Sequence, residues 1–370
     1  MAQTHSIEPQ GVISSPASIP QAAERKAVNW PHVGAFLGLT FALTWLIDLV
    51  MYLNGGLKTP TAGLLLQFQM MIPAFAALLL GMFFFKESPV YYKTNRTASR
   101  WFIYYYFFMT IAYLAAAILG VVNPAQGTAL SGNLLILSVI GLVLLLVLRW
   151  RGGPQAFAGA GMAGGNWRKW LLYGLGMVLF FAFEALLNYV FKLGKPVDPA
   201  SLLPAGTASI PPLVLVGSSF LNAVIIGPLL GLIITFGEEY GWRGYLQSEL
   251  VHLGRIRGVG LLGVIWGIWH WPVIWMGYNY PGQPVLGSFL MVAFTVLLAY
   301  FLAYAVFKSK GVWTAAYLHA LLNQSMAFFM IFIIAPITIV WSFSIGIPGL
   351  LLALPIILWI LRDPVWKETD

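Results

Sequence analysis

Two adjacent glutamates, Glu238 and Glu239, and an arginine, Arg243, follow a long run of almost unbroken apolar sequence. A carboxylate or guanidinium beside hydrocarbon costs several kcal/mol unless it is paired or reaches water, so acids in an apolar span predict a functional site. On a helix, Glu239 and Arg243 stand at i and i+4 and can pair, whereas Glu238 points about 100° round the axis. Glu238 therefore lacks a local counter-ion. The alternative is that all three are interfacial residues extending to the lipid headgroups.

Two later apolar segments carry strongly polar side chains, namely His270 on one and His319 with Asn323 on the other. Counted from the cytoplasmic ends predicted below, Glu238 lies about 14 Å deep and His270 about 18 Å. His319 and Asn323 lie about 10 Å and 16 Å deep on one helical face. The other histidines, which lie outside the apolar segments, are His5, His32 and His252. The overlapping depths predict that three helices bring their polar groups together.

This set of side chains suits hydrolysis of an amide bond. A glutamate in a low-dielectric site can take a proton from water, and a histidine can hold that water and pass the proton to a leaving amine. A second histidine with an asparagine amide can donate hydrogen bonds to the oxyanion that forms. The set contains no serine or cysteine, so direct attack by water is favoured over an acyl-enzyme.

A divalent metal is the competing use of the same residues. Glu238, His270 and His319 could supply the three ligands of a catalytic zinc, with water in the fourth position. No His-Glu-x-x-His run is present, so the familiar zinc-protease helix is absent. The metal question stays open at this point, and we favour chemistry without a tightly bound ion.

The composition defines an integral membrane protein. The 370 residues are 59% hydrophobic and 9% charged, against roughly 25% charged residues in an average soluble domain. The absence of cysteine excludes disulfides, thiolate metal sites and a cysteine nucleophile. The net charge of +8 becomes a topology signal once the charges are mapped onto loops, so no nucleic-acid partner is predicted.

The sequence predicts an all-α, polytopic fold with about ten transmembrane helices. We divide the chain into a disordered cytoplasmic tail (1–30), amino-terminal helices (31–200), a catalytic core (201–335), and a last helix with a cytoplasmic end (336–370). The Gly-rich stretch 151–166 is predicted to be a loop or interfacial turn. The apolar segments are 33–53, 62–85, 101–122, 130–150, 169–191, 211–247, 258–276, 285–307, 312–335 and 338–361.

The basic residues give the orientation. If both termini are cytoplasmic, only three of the 20 Lys and Arg lie outside, namely Lys58, Lys192 and Lys195. That bias follows the positive-inside rule. We therefore expect a multi-pass membrane protein with both termini in the cytoplasm. The lean, cysteine-free sequence favours a prokaryotic plasma membrane. The sixth segment is too long for one straight crossing, so a kink is predicted near Gly227-Pro228, where the proline ring removes a backbone donor.

Over roughly residues 211–335 the chain resembles the CAAX-processing and bacteriocin-processing (CPBP, Abi-like) family of intramembrane proteases. Its Glu-Glu-x-x-x-Arg motif stands here as 238–243, and its His-x-x-x-Asn motif as 319–323. The Phe-x-x-x-His motif appears as Trp266 to His270, with tryptophan in the aromatic position. The larger ring extends the aromatic wall beside His270, which bears on substrate fit rather than on chemistry.

The resemblance implies roles for individual residues. Glu238 and His270 would activate water, and His319 with Asn323 would stabilise the oxyanion. The supporting residues would be Glu239, Arg243 and Trp266. The implied function is an intramembrane endopeptidase acting on a membrane-associated peptide or protein.

Two other function classes stand beside the protease. A family member can act as a non-catalytic membrane scaffold or a bacteriocin-immunity protein that binds a membrane peptide. A proton-coupled transporter would use Asp48, Glu184 and Asn188 as pathway groups. For Glu184 itself we predict a structural role, facing protein either with a partner or protonated.

Overall fold

The computed structural model describes residues 27–203 and 210–368. Most of the predicted tail, residues 1–26, lies outside them. Within these ranges the regular secondary structure is helical apart from one short antiparallel pair of strands, β1 (Gly194–Pro196) and β2 (Ile334–Pro336). The all-α, polytopic fold class is thereby confirmed, and eight helical stretches are long and apolar enough to cross a membrane.

The helices come in the order that the apolar segments predict. The first five are α1 (Trp30–Leu53), α2 (Ala62–Phe83), α3 (Ser99–Val122), α4 (Pro124–Ala158) and α5 (Trp167–Val190). The sixth stretch contains α6 (Pro212–Leu221), α7 (Gly227–Glu239) and α8 (Gln247–Leu250). The remainder are α9 (Arg255–Trp269), α10 (Trp271–Trp275), α11 (Pro284–Ser309), α12 (Val312–Ala327) and α13 (Ile347–Ile360).

Contacts between loops define the two ends of the bundle. At the near end, where α1 begins, the Asn29 amide donates to the Glu249 carboxylate at 3.3 Å and Lys308 pairs with Asp363 at 3.0 Å. At the far end, β1 pairs with β2, and the Tyr280 hydroxyl donates to the Ile345 carbonyl at 2.8 Å. The chain therefore passes between the ends ten times within the described ranges.

Two of these passes are not plain spanning helices. The predicted segment 258–276 is divided at His270 into α9 and α10, because Pro272 has no N–H to continue the helix. The predicted segment 338–361 contains only the 14-residue α13. In both passes, irregular segments or short helices complete the path between the two ends of the bundle.

The sixth stretch is one helical rod from Pro212 to Leu253 with two wide π-turns. The first, Asn222–Ile226, comes directly before the predicted kink at Gly227-Pro228. Because Pro228 cannot donate a backbone hydrogen bond, the wider turn accommodates the ring without ending the helix. The second, Tyr240–Leu246, directly follows the two glutamates and contains Arg243.

The Gly-rich stretch 151–166 was wrongly predicted to be non-helical throughout. Helix α4 continues to Ala158, with a break at Gly153, whose φ of 77° favours glycine. The loop proper is 159–166. It lies at the near end, where the Asn166 amide donates to the Ser309 carbonyl at 2.9 Å.

The two-ended arrangement predicts the accessibility of single cysteines in this cysteine-free chain. Lys195 is exposed at the far end and Arg257 at the near end. We expect Lys195→Cys to react with a membrane-impermeant maleimide in intact cells, and Arg257→Cys to react only after permeabilisation. Reaction of both in intact cells would contradict the predicted orientation.

Candidate active site

Close packing by two glycines places the glutamates against α2. A Cβ added to Gly237 would stand 2.3 Å from the Met70 carbonyl oxygen, and one added to Gly241 would stand 2.4 Å from Pro73 Cβ. Only glycine permits this approach of backbones, as is common between membrane helices. The glutamate pair between these glycines is therefore held inside the bundle.

A second glycine pair seats α9 against α11. A Cβ on Gly263 or Gly267 would stand 2.6 Å from the Cα of Val296 or Val292, respectively. The Thr295 hydroxyl donates to the Gly263 carbonyl at 2.9 Å, which fixes the two helices in register. Helix α9 thus presents its last turn to the glutamates on α7.

Glu239 is fully buried and has two charged or chargeable partners. Its Oε1 accepts from Arg243 Nη1 at 3.0 Å, as the i, i+4 spacing predicts. The same oxygen lies 2.7 Å from His319 Nδ1. Sequence reasoning missed the histidine contact, because spacing along one helix gives no information about a partner on another.

Glu238 is equally buried, with 3% of its surface exposed. Its Oε2 accepts from the Trp266 indole N–H at 2.9 Å. The expectation that Glu238 lacks a counter-ion on its own helix holds, and its described hydrogen-bond donor is a neutral group from α9. A phenylalanine in this position could not make that bond.

His270 is half-buried at the junction of α9 and α10. Its Nδ1 lies 2.8 Å from the Trp266 carbonyl oxygen. Because a carbonyl can only accept, Nδ1 carries a proton in this arrangement, and the neutral ring presents a lone pair at Nε2. Trp269 packs edge-on against the ring, with centroids 4.7 Å apart.

Trp266 lies at the centre of the predicted site residues. The Arg243 guanidinium lies 4.1 Å from its ring centroid, within the range of a cation–π contact. The His319 ring packs edge-on at 5.7 Å. Trp266 therefore contacts Glu238 and both partners of Glu239, whereas the sequence indicated only an aromatic wall beside His270.

Asn323 is the predicted site residue that the structure leaves apart from the others. It lies one turn after His319 on α12, but it is exposed, and its side chain has no hydrogen-bond partner in the described ranges. The structure brings together the remaining predicted residues, namely Glu238, Glu239, Arg243, Trp266, His270 and His319.

The residues do not form a metal centre in this arrangement. Across the described parts of the chain, no three His, Cys, Asp or Glu side chains stand where they could hold one ion. One ring nitrogen of each histidine is engaged, His270 Nδ1 with a carbonyl and His319 Nδ1 with Glu239.

A cavity of about 440 Å³ leads from Arg243 toward the near end of the bundle. Its wall includes Gln247, Lys310 and Arg255, which pairs with Glu368 at 3.1 Å. Arg243 Nε and Nη2 have no hydrogen-bond partner among the described residues. The cluster thus adjoins a polar space open to one side of the membrane.

Part of the chain matches a family model of known proteins. Residues 220–325, which contain all three motifs, match the family model described as type II CAAX prenyl endopeptidase Rce1-like. This match agrees with the resemblance to the CAAX-processing protease family that the motifs predicted. Neither the curated proteins nor the solved structures give a match.

The unequal surroundings of the two glutamates predict unequal effects on stability. Glu239→Gln removes the charge opposite Arg243 and should lower the free energy of unfolding by about 3–5 kcal/mol. Glu238→Gln keeps an oxygen that accepts from Trp266, so its thermal midpoint should stay near that of the wild type. Thermal unfolding in detergent, followed by intrinsic fluorescence, checks both. Equal midpoints for the two variants would contradict this reading of the contacts.

Proposed function

We propose that the protein is an intramembrane endopeptidase that cleaves a peptide bond of a membrane-associated peptide or protein by direct attack of water. The observation that carries the proposal is that Trp266 makes hydrogen bonds to two of the site residues. Its side chain holds Glu238 and its main-chain carbonyl holds His270. Two groups able to accept protons are thereby tied to one residue and kept in fixed relation.

The first chemical step is activation of water. Glu238 has one oxygen bonded to Trp266, and we assign its other oxygen to accept a proton from the water. His270 accepts a hydrogen bond from the same water through the Nε2 lone pair. As the water oxygen attacks the carbonyl carbon, the proton taken by Glu238 passes to the amide nitrogen and the C–N bond breaks. The second proton of the water passes through His270 to the released amine, so the products are a carboxylate and an ammonium.

The oxyanion that forms needs hydrogen-bond donors. His319 is oriented by Glu239 through Nδ1, and with a proton on Nε2 it can donate to the oxyanion while the carboxylate compensates its charge. The exposed Asn323 amide, one turn away, has donors that are not engaged by described residues and that can join it. Arg243 acts through Glu239 and is a positioning residue.

We propose that substrate and water enter through the 440 Å³ cavity, whose wall includes Arg243 and none of the other predicted site residues. It opens at the end of the bundle where the basic loops lie, which supports a substrate approaching from that membrane surface. The matching family is described as a type II CAAX prenyl endopeptidase. For this chain we propose the broader class of membrane-associated peptides.

Loss of the proposed base should abolish cleavage without unfolding the protein. We expect Glu238→Gln to lower activity by roughly two or more orders of magnitude, the scale on which loss of a general base is felt. Comparing the membrane peptidomes of cells carrying wild type and Glu238→Gln identifies the cut peptides. The purified proteins are then assayed on one of those peptides. His270→Ala should resemble Glu238→Gln.

A different pair of results would assign the catalytic base to the other glutamate. A Glu238→Gln protein that cleaves at near wild-type rate, beside a Glu239→Gln protein that folds normally and is inactive, would make Glu239 the base.

The indole N–H of Trp266 predicts a milder effect. Trp266→Phe keeps a ring beneath Arg243 and removes the hydrogen bond to Glu238, so we expect kcat to fall about tenfold with little change in KM. Trp269→Phe is the matched control, because its indole donates to the Thr44 hydroxyl at 3.0 Å and to neither glutamate. Equal losses in the two variants would show that the bond to Glu238 has no special role.

A further inference from the structure

A second cavity, of about 510 Å³, lies between α5, α11 and α13. Its volume falls in the range of about 300–1,000 Å³ that is typical of small-molecule sites. Along α5 it extends from Leu172 to Glu184, about 18 Å at 1.5 Å per residue. The cavity is therefore long enough for an extended hydrocarbon chain. Of the helices that line it, α5 and α13 lie outside the family match, whereas α11 lies within it.

The wall of this cavity is almost entirely apolar and open to the bilayer. Phe180, Phe294 and Phe301 line its inner side. Leu179 and Phe183, which border it, are exposed on the surface that faces lipid. A ligand can enter from the membrane without crossing water, which selects a molecule that partitions into the bilayer.

One end of the cavity carries a carboxyl group without a partner. Glu184 is 3% exposed, and its Oε1 has no hydrogen-bond partner within the described ranges. Asn188, one turn further on, is directed to another partner, because its amide exchanges two hydrogen bonds with the main chain of Phe343, at 2.7 and 2.8 Å. Glu184 is buried, as predicted. Two alternatives were predicted for it, a hydrogen-bond partner or a protonated carboxyl, and no partner of Oε1 is found in the described part of the chain.

The neighbourhood of Glu184 suits a small polar head. A separate small pocket of about 10 Å³ is lined by Glu184, Asn188 and Ser344, and it shares Glu184 and Ser344 with the larger cavity. Glu184 lies six residues before the end of α5, about 9 Å from the far end. A head placed there would sit below that membrane surface, with its chain running along α5 toward the centre of the bilayer.

From these contacts we infer that the cavity binds a single-chain amphiphile with an amine head, whose ammonium or amine group pairs with Glu184. A carboxyl and an amine share one proton in either protonation state, so the pair satisfies both groups without leaving an isolated buried charge. A fatty acid would place a second carboxyl against the first. A neutral lipid tail would leave Glu184 unsatisfied.

The test uses photolabelling of the full-length protein in phosphatidylcholine nanodiscs. The probe is hexadecylamine with a diazirine at mid-chain, and the comparison probe is hexadecanoic acid with the same diazirine. We expect the amine probe to label peptides of α5 and α13 saturably, with unlabelled hexadecylamine competing. The acid probe should label them weakly and without saturation.

Two variants locate the site. Glu184→Gln should require at least about tenfold more unlabelled hexadecylamine for equal competition, the effect of losing one charge-assisted hydrogen bond. Gly176→Phe should abolish labelling, because Gly176 lines the cavity and a side chain there meets nothing within 4 Å that would force it elsewhere. Gly38→Phe is the matched control on α1, where the space is equally open.

Three results would overturn the inference. These are equal labelling by amine and acid probes, unchanged competition in Glu184→Gln, and labelling that survives Gly176→Phe. Any of them would identify the cavity as a groove filled by ordinary bilayer lipid. None of them bears on the peptide chemistry proposed for Glu238, so the two proposals fail separately.

Discussion

The structure depends on satisfying two adjacent carboxylates inside a bundle of apolar helices. Each would cost several kcal/mol if left bare in hydrocarbon. Glu239 is compensated by Arg243 and His319, whereas Glu238 receives a neutral indole N–H from Trp266. The two neighbouring glutamates therefore differ in their surroundings. Glu239 lies in an ionic cluster, whereas Glu238 is held by a hydrogen bond from a neutral group.

Compensating the two glutamates requires α7, α9 and α12 to pack closely together. The glycine pairs on α7 and α9 let their backbones approach α2 and α11. The Thr235 hydroxyl donates to the Ala316 carbonyl at 2.9 Å, which ties α7 to α12. The π-turn after Glu239 continues the helix without a break, so Arg243 stays over its glutamate. The site is consequently a product of helix packing rather than of any one motif.

Much of this arrangement could be predicted from sequence. Apolar length and the positions of basic residues predict the passes, and the i, i+4 spacing predicts the pairing of Glu239 with Arg243. The depth argument predicts that Glu238, His270 and His319 approach one another. The glycine pairs at 237/241 and 263/267 have the spacing of close helix contacts and could have been used as a further signal.

Other features depend on contacts between helices, which periodicity along one segment does not contain. The bond from His319 to Glu239 and the bond from Trp266 to Glu238 are of this kind. The division of α9 from α10 at His270 is marked by Pro272, but an apolar run of spanning length concealed it. The exposure of Asn323 likewise depends on which neighbours α12 meets.

The central claim is that water, and not a side chain, attacks the peptide bond. Cleavage of an identified peptide in H₂¹⁸O, followed by mass spectrometry of both product and enzyme, tests it most directly. The account predicts ¹⁸O in the new carboxylate of the product and none in the Glu238 side chain after many turnovers. Label in the Glu238 carboxylate would contradict the account, because it would reveal an anhydride formed by attack of the glutamate itself.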